Sequence, residues 1–190
     1  SWNLKGSDLY VHIPELADKR NTVFVVEYKG QLKPFDLTRP LVVSSNYKLN
    51  EVDAVYAQLK GEAGIESLTY SHYFGDWKHA TCITHLNGVE DEADFKVRVT
   101  EPGDYRIILE YACPEESSKQ EGVVEFNNRD YLFRTLRTSE YNENEPLLFI
   151  RHSIAVTTVS APGIYFLKIH PLHNGNQLFS LKSVLFEPVQ

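Results

Sequence analysis

The residues best suited to chemistry lie in one aromatic segment, Tyr70-Ser71-His72-Tyr73-Phe74-Gly75-Asp76-Trp77. Sugar rings present C–H faces that stack on flat aromatic rings, while nearby amides and carboxylates hydrogen-bond the hydroxyl groups. The segment is therefore a candidate glycan-binding platform at a loop end. The candidate ligand-binding residues are Trp77, Tyr73, Tyr70, Asn174 and Asn176. The alternative is that these rings close one end of a hydrophobic core.

Signatures of catalysis are weak in this sequence. The seven histidines are scattered, and Pro171 between His170 and His173 indicates a turn rather than one face of a helix. A zinc site would need a third and a fourth ligand, and the sequence shows no clear ones nearby. The serines and cysteines lack a nucleophile elbow, and the Pro-Gly pairs are turns rather than phosphate-binding loops. We therefore predict no catalytic residue and no metal ligands.

Carboxylates cluster at Glu90-Asp91-Glu92 with Asp94, and again at Glu115-Glu116. A glycosidase needs two carboxyl groups that face each other across a sugar, which sequence neighbours on one strand or loop do not achieve. The first cluster has the oxygens that Ca²⁺ prefers, but not the regular spacing of a dedicated calcium loop. A solvated acidic turn is the alternative. We expect no cofactor, with Ca²⁺ as the less favoured possibility.

Composition and charge exclude several classes of partner. The net charge of −7 argues against nucleic acid and anionic membranes, since both attract a basic surface. No apolar stretch approaches the roughly 20 residues that span a bilayer. The chain has no Met and opens at Ser1, so we expect a processed protein or a fragment. Cys82 and Cys113 are the only cysteines, and free thiols are favoured over a disulfide without excluding it.

The elements that must position these residues are strands. Val99-Thr100-Glu101-Pro102-Gly103-Asp104-Tyr105 recurs as Val159-Ser160-Ala161-Pro162-Gly163-Ile164-Tyr165, and alternating apolar residues flank each copy. Each copy predicts a type II turn within a β-hairpin. Asn127-Asn128 predicts a two-residue hairpin turn, because Asn tolerates left-handed φ. The sequence therefore predicts an all-β, antiparallel two-sheet sandwich or jelly roll.

The chain divides into two predicted parts. Residues 1–45 contain the strands Leu9–Ile13 and Val23–Tyr28, and residues 32–50 have the composition of a linker. Residues 50–190 form the sandwich. Its predicted strands are Val52–Leu59, Leu68–Tyr70, His79–His85, Ala93–Val99, Tyr105–Ala112, Gly122–Phe126, Tyr131–Leu136, Ser153–Val159, Tyr165–His170 and Ser180–Phe186.

Several segments resemble a known module. Tyr105–Glu115 and Leu181–Val189 are similar to landmarks of a β-sandwich module at the C-terminal ends of α-L-fucosidases of glycoside hydrolase family 29. That module is similar in kind to family 6 and family 35 carbohydrate-binding modules. The segments that fit the family pattern are Pro102-Gly103-Asp104-Tyr105, Gly163-Ile164-Tyr165, Pro188 and Gly75-Asp76-Trp77. Asp8–Glu15 and Val23–Gly30 resemble the last strands of the small β-domain that follows the catalytic barrel in these enzymes.

The resemblance implies a galactose-binding-like sandwich at 50–190, with 1–45 as terminal strands of a preceding β-domain plus a linker. It implies a non-catalytic accessory module of an exported, periplasmic or secreted α-L-fucosidase-like glycoside hydrolase. Its partners would be a glycan or the parent enzyme's catalytic domain. No segment resembles the (β/α)₈ barrel, so the chain is not expected to be an enzyme. The alternative is a purely structural or protein-interaction sandwich without a ligand, and the sugar and the oligomeric state are left open.

Overall fold

The structure is a computed structural model that describes residues 2–5, 8–12, 25, 27, 29, 39–71, 78–139 and 146–189. Contacts divide the chain into two compact units, Ser1–Phe35 and Asp36–Gln190. Within the described ranges, the regular elements are β-strands and two 3-10 turns, at Ala54–Tyr56 and Glu115–Ser117. The same ranges contain no helix that is long and apolar enough to cross a membrane.

The first unit contains an antiparallel ribbon of β1 (Trp2–Lys5) and β2 (Asp8–Val11). β2 overlaps the predicted strand Leu9–Ile13, while most of the predicted strand Val23–Tyr28 lies outside the described residues. Trp2 pairs with Val11 in the register, and their side chains are 69% and 43% exposed. The ribbon therefore presents apolar side chains on its surface.

The second unit is a sandwich of two six-stranded sheets. Sheet I contains β3 (Leu41–Val43), β5 (Gln58–Lys60), β8 (Glu92–Val99), β10 (Glu121–Phe126), β11 (Arg129–Arg134) and β13 (Gly163–Pro171). Sheet II contains β4 (Asn50–Asp53), β6 (Gly64–Ser71), β7 (Lys78–Thr84), β9 (Gly103–Ala112), β12 (Ile150–Val159) and β14 (Ser180–Val189). The predicted all-β two-sheet sandwich is confirmed. All its strand pairs are antiparallel except β3 with β8, which is parallel.

The hydrophobic core lies between the two sheets. Alternate residues of each strand face inward, as in β8, where buried and half-buried positions alternate along the whole strand. The Tyr111 ring stacks on the Phe179 ring with 4.7 Å between centroids, and the Phe133 ring also stacks on Phe179, with 5.9 Å between centroids. These rings tie sheet I to sheet II, so the outer faces of both sheets are positioned by a common core.

The repeated Pro-Gly segments are corners between the sheets rather than hairpins. Val99 ends β8 in sheet I and Gly103 begins β9 in sheet II, whereas the second copy connects β12 in sheet II to β13 in sheet I. The type II prediction is wrong at both copies: the φ of Gly103 is +156°, and that of Gly163 is not positive. Turn residues mark where the chain reverses, but they do not determine which sheet the next strand joins.

Both corners are closed by the same tyrosine hydrogen bond. The Tyr105 hydroxyl donates to the Glu101 carbonyl at 2.8 Å, and the Tyr165 hydroxyl donates to the Ala161 carbonyl at 2.7 Å. This is the arrangement of a tyrosine corner, in which a hydroxyl binds the backbone a few residues upstream. The two corners lie side by side, because Val99 pairs with Gly163 and Val159 pairs with Gly103. The sequence repeat therefore reflects two neighbouring corners of one sandwich.

Two other local predictions have clear outcomes. The hairpin turn at Asn127-Asn128 is confirmed, since both residues have positive φ, 52° and 59°, and join β10 to β11. The predicted linker over 32–50 contains β3, whose Val43 is fully buried. Three residues are too few to show a period of two, so the sequence pattern missed this strand. The assignment of the first unit to a preceding domain stays a prediction.

Candidate functional site

The structure describes three of the five sequence-predicted site residues. Trp77 and Tyr73 lie outside the described residues, while Tyr70 is near the end of β6. The amides of Asn174 and Asn176 make hydrogen bonds between loops. The Asn174 Oδ1 accepts from the Val89 N–H at 3.0 Å, and the Asn176 Nδ2 donates to the Glu116 carbonyl at 2.9 Å.

Tyr70 and these two amides lie at opposite ends of the β6–β7 pair. Gly64, the first residue of β6, pairs with Thr84 next to the loop that contacts Asn174. Tyr70 is six residues further along β6, which at about 3.3 Å per residue is about 20 Å away. The structure therefore does not bring Tyr70 together with Asn174 or Asn176. A glycan platform that includes Trp77 and Tyr73 stays a prediction.

Tyr70 instead belongs to a cluster on the outer face of sheet II. Its ring meets the Phe149 ring edge-on, with 6.3 Å between centroids and 79° between planes. The Leu147 N–H donates to the Tyr70 carbonyl at 2.9 Å, which fixes the segment before Phe149 against β6. Lys182 Nζ lies 5.7 Å from the centroid of the Phe149 ring, within cation–π range. We call Tyr70, Phe149, Lys182, Glu110 and Arg151 the Tyr70 cluster.

The charges of the Tyr70 cluster meet at Glu110. Its Oε1 accepts from Lys182 Nζ at 2.5 Å and its Oε2 from Arg151 Nε at 2.9 Å, while the carboxylate side chain is only 8% exposed. Burial by itself raises the pKa of Glu110, but the hydrogen bonds from Lys182 and Arg151 outweigh burial and hold the pKa below its ordinary value. For Lys182, the bond to Glu110 outweighs burial and raises the pKa. Each group keeps its charge in the folded protein.

This arrangement combines aromatic rings with fixed hydrogen-bonding groups. Among the described residues, the terminal nitrogens of Arg151 have no partner, and the Arg151 side chain is 56% exposed. A guanidinium held by its Nε presents its other N–H groups in a known direction, which suits hydroxyl oxygens of a ligand. The cluster can therefore position donors beside an aromatic surface. Of its members, Tyr70 lies on β6 and is the first residue of the predicted aromatic segment.

Sequence reasoning missed four members of this cluster. One signal was available: Glu110 is a single carboxylate inside the apolar run of β9, Ile107-Ile108-Leu109-Glu110-Tyr111. A charge at such a position needs a partner. Its partners Arg151 and Lys182 are 41 and 72 residues away in the chain, so the sequence alone cannot identify them.

The acidic segment around Asp91 has internal partners. Asp91 Oδ1 accepts from the Glu62 N–H at 2.7 Å, and Oδ2 accepts from the Asn87 and Gly88 N–H groups at 2.9 and 2.8 Å. Burial raises the pKa of Asp91, but these three backbone hydrogen bonds outweigh it and lower the pKa. Asp91 therefore organises the loop. In the part of the chain that the structure describes, no group of three or more His, Cys, Asp or Glu side chains could hold a metal ion.

Three histidines pair with carboxylates, and both cysteines are buried. His85, His170 and His173 pair with Glu66, Glu125 and Glu121 at 3.1, 3.1 and 3.5 Å. Cys82 and Cys113 are both buried and free, so the structure has the thiols that the sequence favoured. Burial raises the pKa of Cys82 to about 12 and that of Cys113 to about 11, which keeps both thiols protonated near neutral pH.

Comparisons with solved structures identify the fold. The chain is similar to a family 35 carbohydrate-binding module from Clostridium thermocellum, with a TM-score of 0.57 and 14% identity, over 75% of this chain and 100% of that module. It is also similar to a GH26-CBM35 β-(1,4)-mannanase from Podospora anserina, with a TM-score of 0.55 and 14% identity, over 75% of this chain and 28% of the mannanase. The second unit therefore has the sandwich fold of a carbohydrate-binding module.

The same fold occurs in a protein described by another activity. The mosquito-larvicidal Cry4Aa toxin from Bacillus thuringiensis matches with a TM-score of 0.60 and 10% identity, over 80% of this chain and 25% of the toxin. The chain thus spans about a quarter of the length of the toxin and of the mannanase. No protein-family model matches the sequence, and no curated protein sequence is significantly similar to it. Similarity at these identities establishes fold and leaves function to the residues of the site.

Proposed function

We propose that this chain is a glycan-binding accessory module of an exported α-L-fucosidase-like glycoside hydrolase. The sandwich fold shared with a family 35 carbohydrate-binding module supports the glycan-binding role. The fucosidase parent rests on the sequence resemblance of Tyr105–Glu115 and Leu181–Val189 to the C-terminal module of family 29 enzymes. Export to the periplasm or the exterior belongs to the same proposal.

The observation that carries the proposal is the Tyr70 cluster. The two rings meet edge-on, so a sugar would stack on one ring face and touch the edge of the other, with Lys182 and Arg151 of the same cluster as donors to its hydroxyl groups. Glu110 holds both cations in place, so little side-chain freedom is lost when a ligand binds. Trp77 and Tyr73 lie outside the described residues and stay part of the proposal on the ground of their residue types alone.

Titration calorimetry tests this site with β-1,3-galactotriose, β-1,4-mannotriose and methyl α-L-fucoside as probes. Tyr70→Ala should weaken binding of the best probe by about tenfold or more, because one ring–sugar contact is of the order of 1–3 kcal/mol. Trp77→Ala should have a similar effect without a large change in melting temperature. Tyr47→Ala is the matched control, since Tyr47 is 54% exposed in the loop after β3. Equal affinities of the wild type and Tyr70→Ala would refute the site.

We propose that the chain has no hydrolytic activity of its own, because glycoside cleavage needs two carboxyl groups suitably spaced across a sugar. Purified protein should release no chromophore from an aryl α-L-fucoside. Turnover that co-elutes with the protein through two columns would contradict this proposal.

A second role, support of the parent's catalytic domain, is favoured by the N-terminal ribbon. Trp2, Leu9 and Val11 are 69%, 44% and 43% exposed. A two-stranded ribbon with an exposed apolar side is marginal in isolation, so it gains stability from a covering surface. We propose that the preceding part of the parent enzyme covers it. Trp2→Ser should weaken association of the chain with the parent's separately produced catalytic domain while leaving glycan binding unchanged.

A further inference from the structure

The outer face of sheet I has an unexpected apolar strip. Along β13, Tyr165, Leu167 and Ile169 pack into the core, so Ile164 and Phe166 point to the opposite side. Ile164 is 53% exposed and Phe166 is 64% exposed. An aromatic ring on the outer face of an interior strand gains nothing from core packing. It has a rigid backbone beneath it and an open face above it.

Phe166 lies in a groove of about 560 Å³. The turn of the β10–β11 hairpin, with Asn127 and Asn128, forms one side, and Lys60 with Asp94 forms the other. The Asn127 Nδ2 donates to the Thr158 carbonyl at 2.9 Å, which ties the hairpin turn to the end of β12. The volume lies within the range of small-ligand sites. Both sides of the groove are therefore parts of a rigid scaffold.

Three polar side chains at the β10–β11 hairpin are available to bind a ligand. Asn128, Arg129 and Asp130 line the groove and are exposed, and among the described residues none has a hydrogen-bond or ion-pair partner. Together they offer amide donors and acceptors, guanidinium donors and carboxylate acceptors within three consecutive residues. This mixture suits a ligand that carries many hydroxyl groups, each of which both donates and accepts.

The charges of the groove indicate a neutral ligand. Its ionised lining consists of three cations and three anions, Lys60, Arg129, Lys168, Asp94, Glu125 and Asp130. Lys60 Nζ lies 3.2 Å from Asp94 Oδ2, and Lys168 Nζ lies 3.4 Å from Glu125 Oε2. The lysines are thus already neutralised, while Arg129 and Asp130 contribute one charge of each sign without pairing with each other. Glu92 also pairs with Lys60 and lies 3.7 Å from Lys168, so no net positive charge is left over to attract a phosphate or a nucleic acid.

We propose that this groove is a second glycan-binding site, which takes a neutral pyranoside with one face of its ring on Phe166 and its hydroxyl groups on Asn128, Arg129 and Asp130. The site lies on the opposite sheet from the Tyr70 cluster and shares only the class of ligand with the proposed function. Two sites on opposite faces allow one module to bridge two glycan chains. On a dense polysaccharide, this raises the overall affinity above that of either site.

Amide chemical-shift mapping on the full, ¹⁵N-labelled chain tests the groove with β-1,3-galactotriose, β-1,4-mannotriose and methyl α-L-fucoside. At least one probe should shift the amides of 128–130 and 166–168 in a saturable manner. Phe166→Ala should weaken that response by about tenfold or more. Arg129→Gln should weaken it less, by several-fold. Leu132→Ala is the matched control, because Leu132 is 67% exposed on β11 of the same sheet but does not line the groove.

The possible outcomes separate the groove from the Tyr70 cluster. Shifts confined to Tyr70, Phe149 and Arg151 overturn the groove site and leave the proposed function standing. Shifts confined to the groove support it and overturn binding at the Tyr70 cluster. Groove shifts that follow protein concentration instead of sugar mean that a second copy of the chain occupies this face, and they overturn the glycan site. An absence of shifts with every probe overturns both sites.

Discussion

The Tyr70 cluster and the Phe166 groove differ in how their polar groups are satisfied. At the Tyr70 cluster, one nearly buried carboxylate binds two cations, so the charges depend on one another. At the groove, Asn128, Arg129 and Asp130 have no partner among the described residues. The first region is therefore coupled to the stability of the sandwich. The second is free to respond to a ligand alone, and substitutions should separate the two regions.

The largest expected effect on stability is at Glu110. Glu110→Gln removes the negative charge between Lys182 and Arg151, and hydrogen bonds to charged groups contribute about 1.5–3 kcal/mol. We expect a loss of about 1–3 kcal/mol in the free energy of unfolding by urea denaturation. Glu187→Gln is the control: Glu187 pairs with Arg106 on the same sheet, is 38% exposed, and should change stability by less than about 0.5 kcal/mol. Equal losses of stability in the two variants would show that Glu110 contributes no more to stability than an exposed ion pair does.

Acid should remove the stabilisation that Glu110 contributes to the Tyr70 cluster. Because the pKa of Glu110 is depressed in the folded protein, its stabilisation is fully present above the unfolded pKa of about 4.3 and is lost as pH falls through the folded pKa. The difference in melting temperature between the wild type and Glu110→Gln should stay constant from about pH 7 to about pH 5 and narrow below about pH 4. A difference that persists unchanged at low pH would show that ionisation of Glu110 is not its source.

The two exposed-face phenylalanines should behave differently. Phe149 is half-buried between Tyr70 and Lys182, so Phe149→Ala should cost about 1–2 kcal/mol of stability. Phe166→Ala should change stability by less than about 0.5 kcal/mol, because the ring is 64% exposed. Paired thermal melts measure both. A sharp loss in Phe166→Ala would identify that ring as structural and would weaken the groove site.

The smallest expected effects concern two arginines that receive the same substitution. Arg151→Gln removes a hydrogen bond to Glu110 and should cost about 0.5–1.5 kcal/mol. Arg129→Gln removes no side-chain hydrogen bond or ion pair with a described residue and should stay within about 0.5 kcal/mol of the wild type, while it weakens sugar binding at the groove. If Arg129→Gln is the more destabilising of the two, the groove rather than the Tyr70 cluster is coupled to the stability of the sandwich.

Much of the sandwich follows from the sequence, because a period of two specifies which residues of a strand face inward. The alternation in β8, β9 and β13 and the turn at Asn127-Asn128 are local properties of this kind. The Pro-Gly corners were mistaken for hairpins because strand pairing is not local: β8 pairs with β13, and β9 with β12. The turn residues are the same whether the chain returns to the same sheet or crosses to the other.

The candidate sites were harder to predict than the fold. Tyr70 was recognised by its residue type. Its contact with Phe149, and the contact of Phe149 with Lys182, join residues that are far apart in the chain, and no sequence motif predicts them. The outward position of Phe166 was not predicted, because Phe166 lies in the continuous apolar run Ile164-Tyr165-Phe166-Leu167. The lack of partners for Asn128 and Arg129 depends on the three-dimensional arrangement of the strands, which the sequence does not give. Residue type thus indicates the chemistry, while burial and pairing decide where it is available.

A glycan array probed with the full chain tests the glycan-binding account most directly, with the double variant Tyr70→Ala/Phe166→Ala screened beside the wild type at equal protein concentration. Circular dichroism should first establish that the two proteins have the same strand content. The wild type should bind at least one class of neutral glycan, and the double variant should bind none. An array on which the wild type binds nothing, or on which the double variant gives the same signals as the wild type, would contradict it.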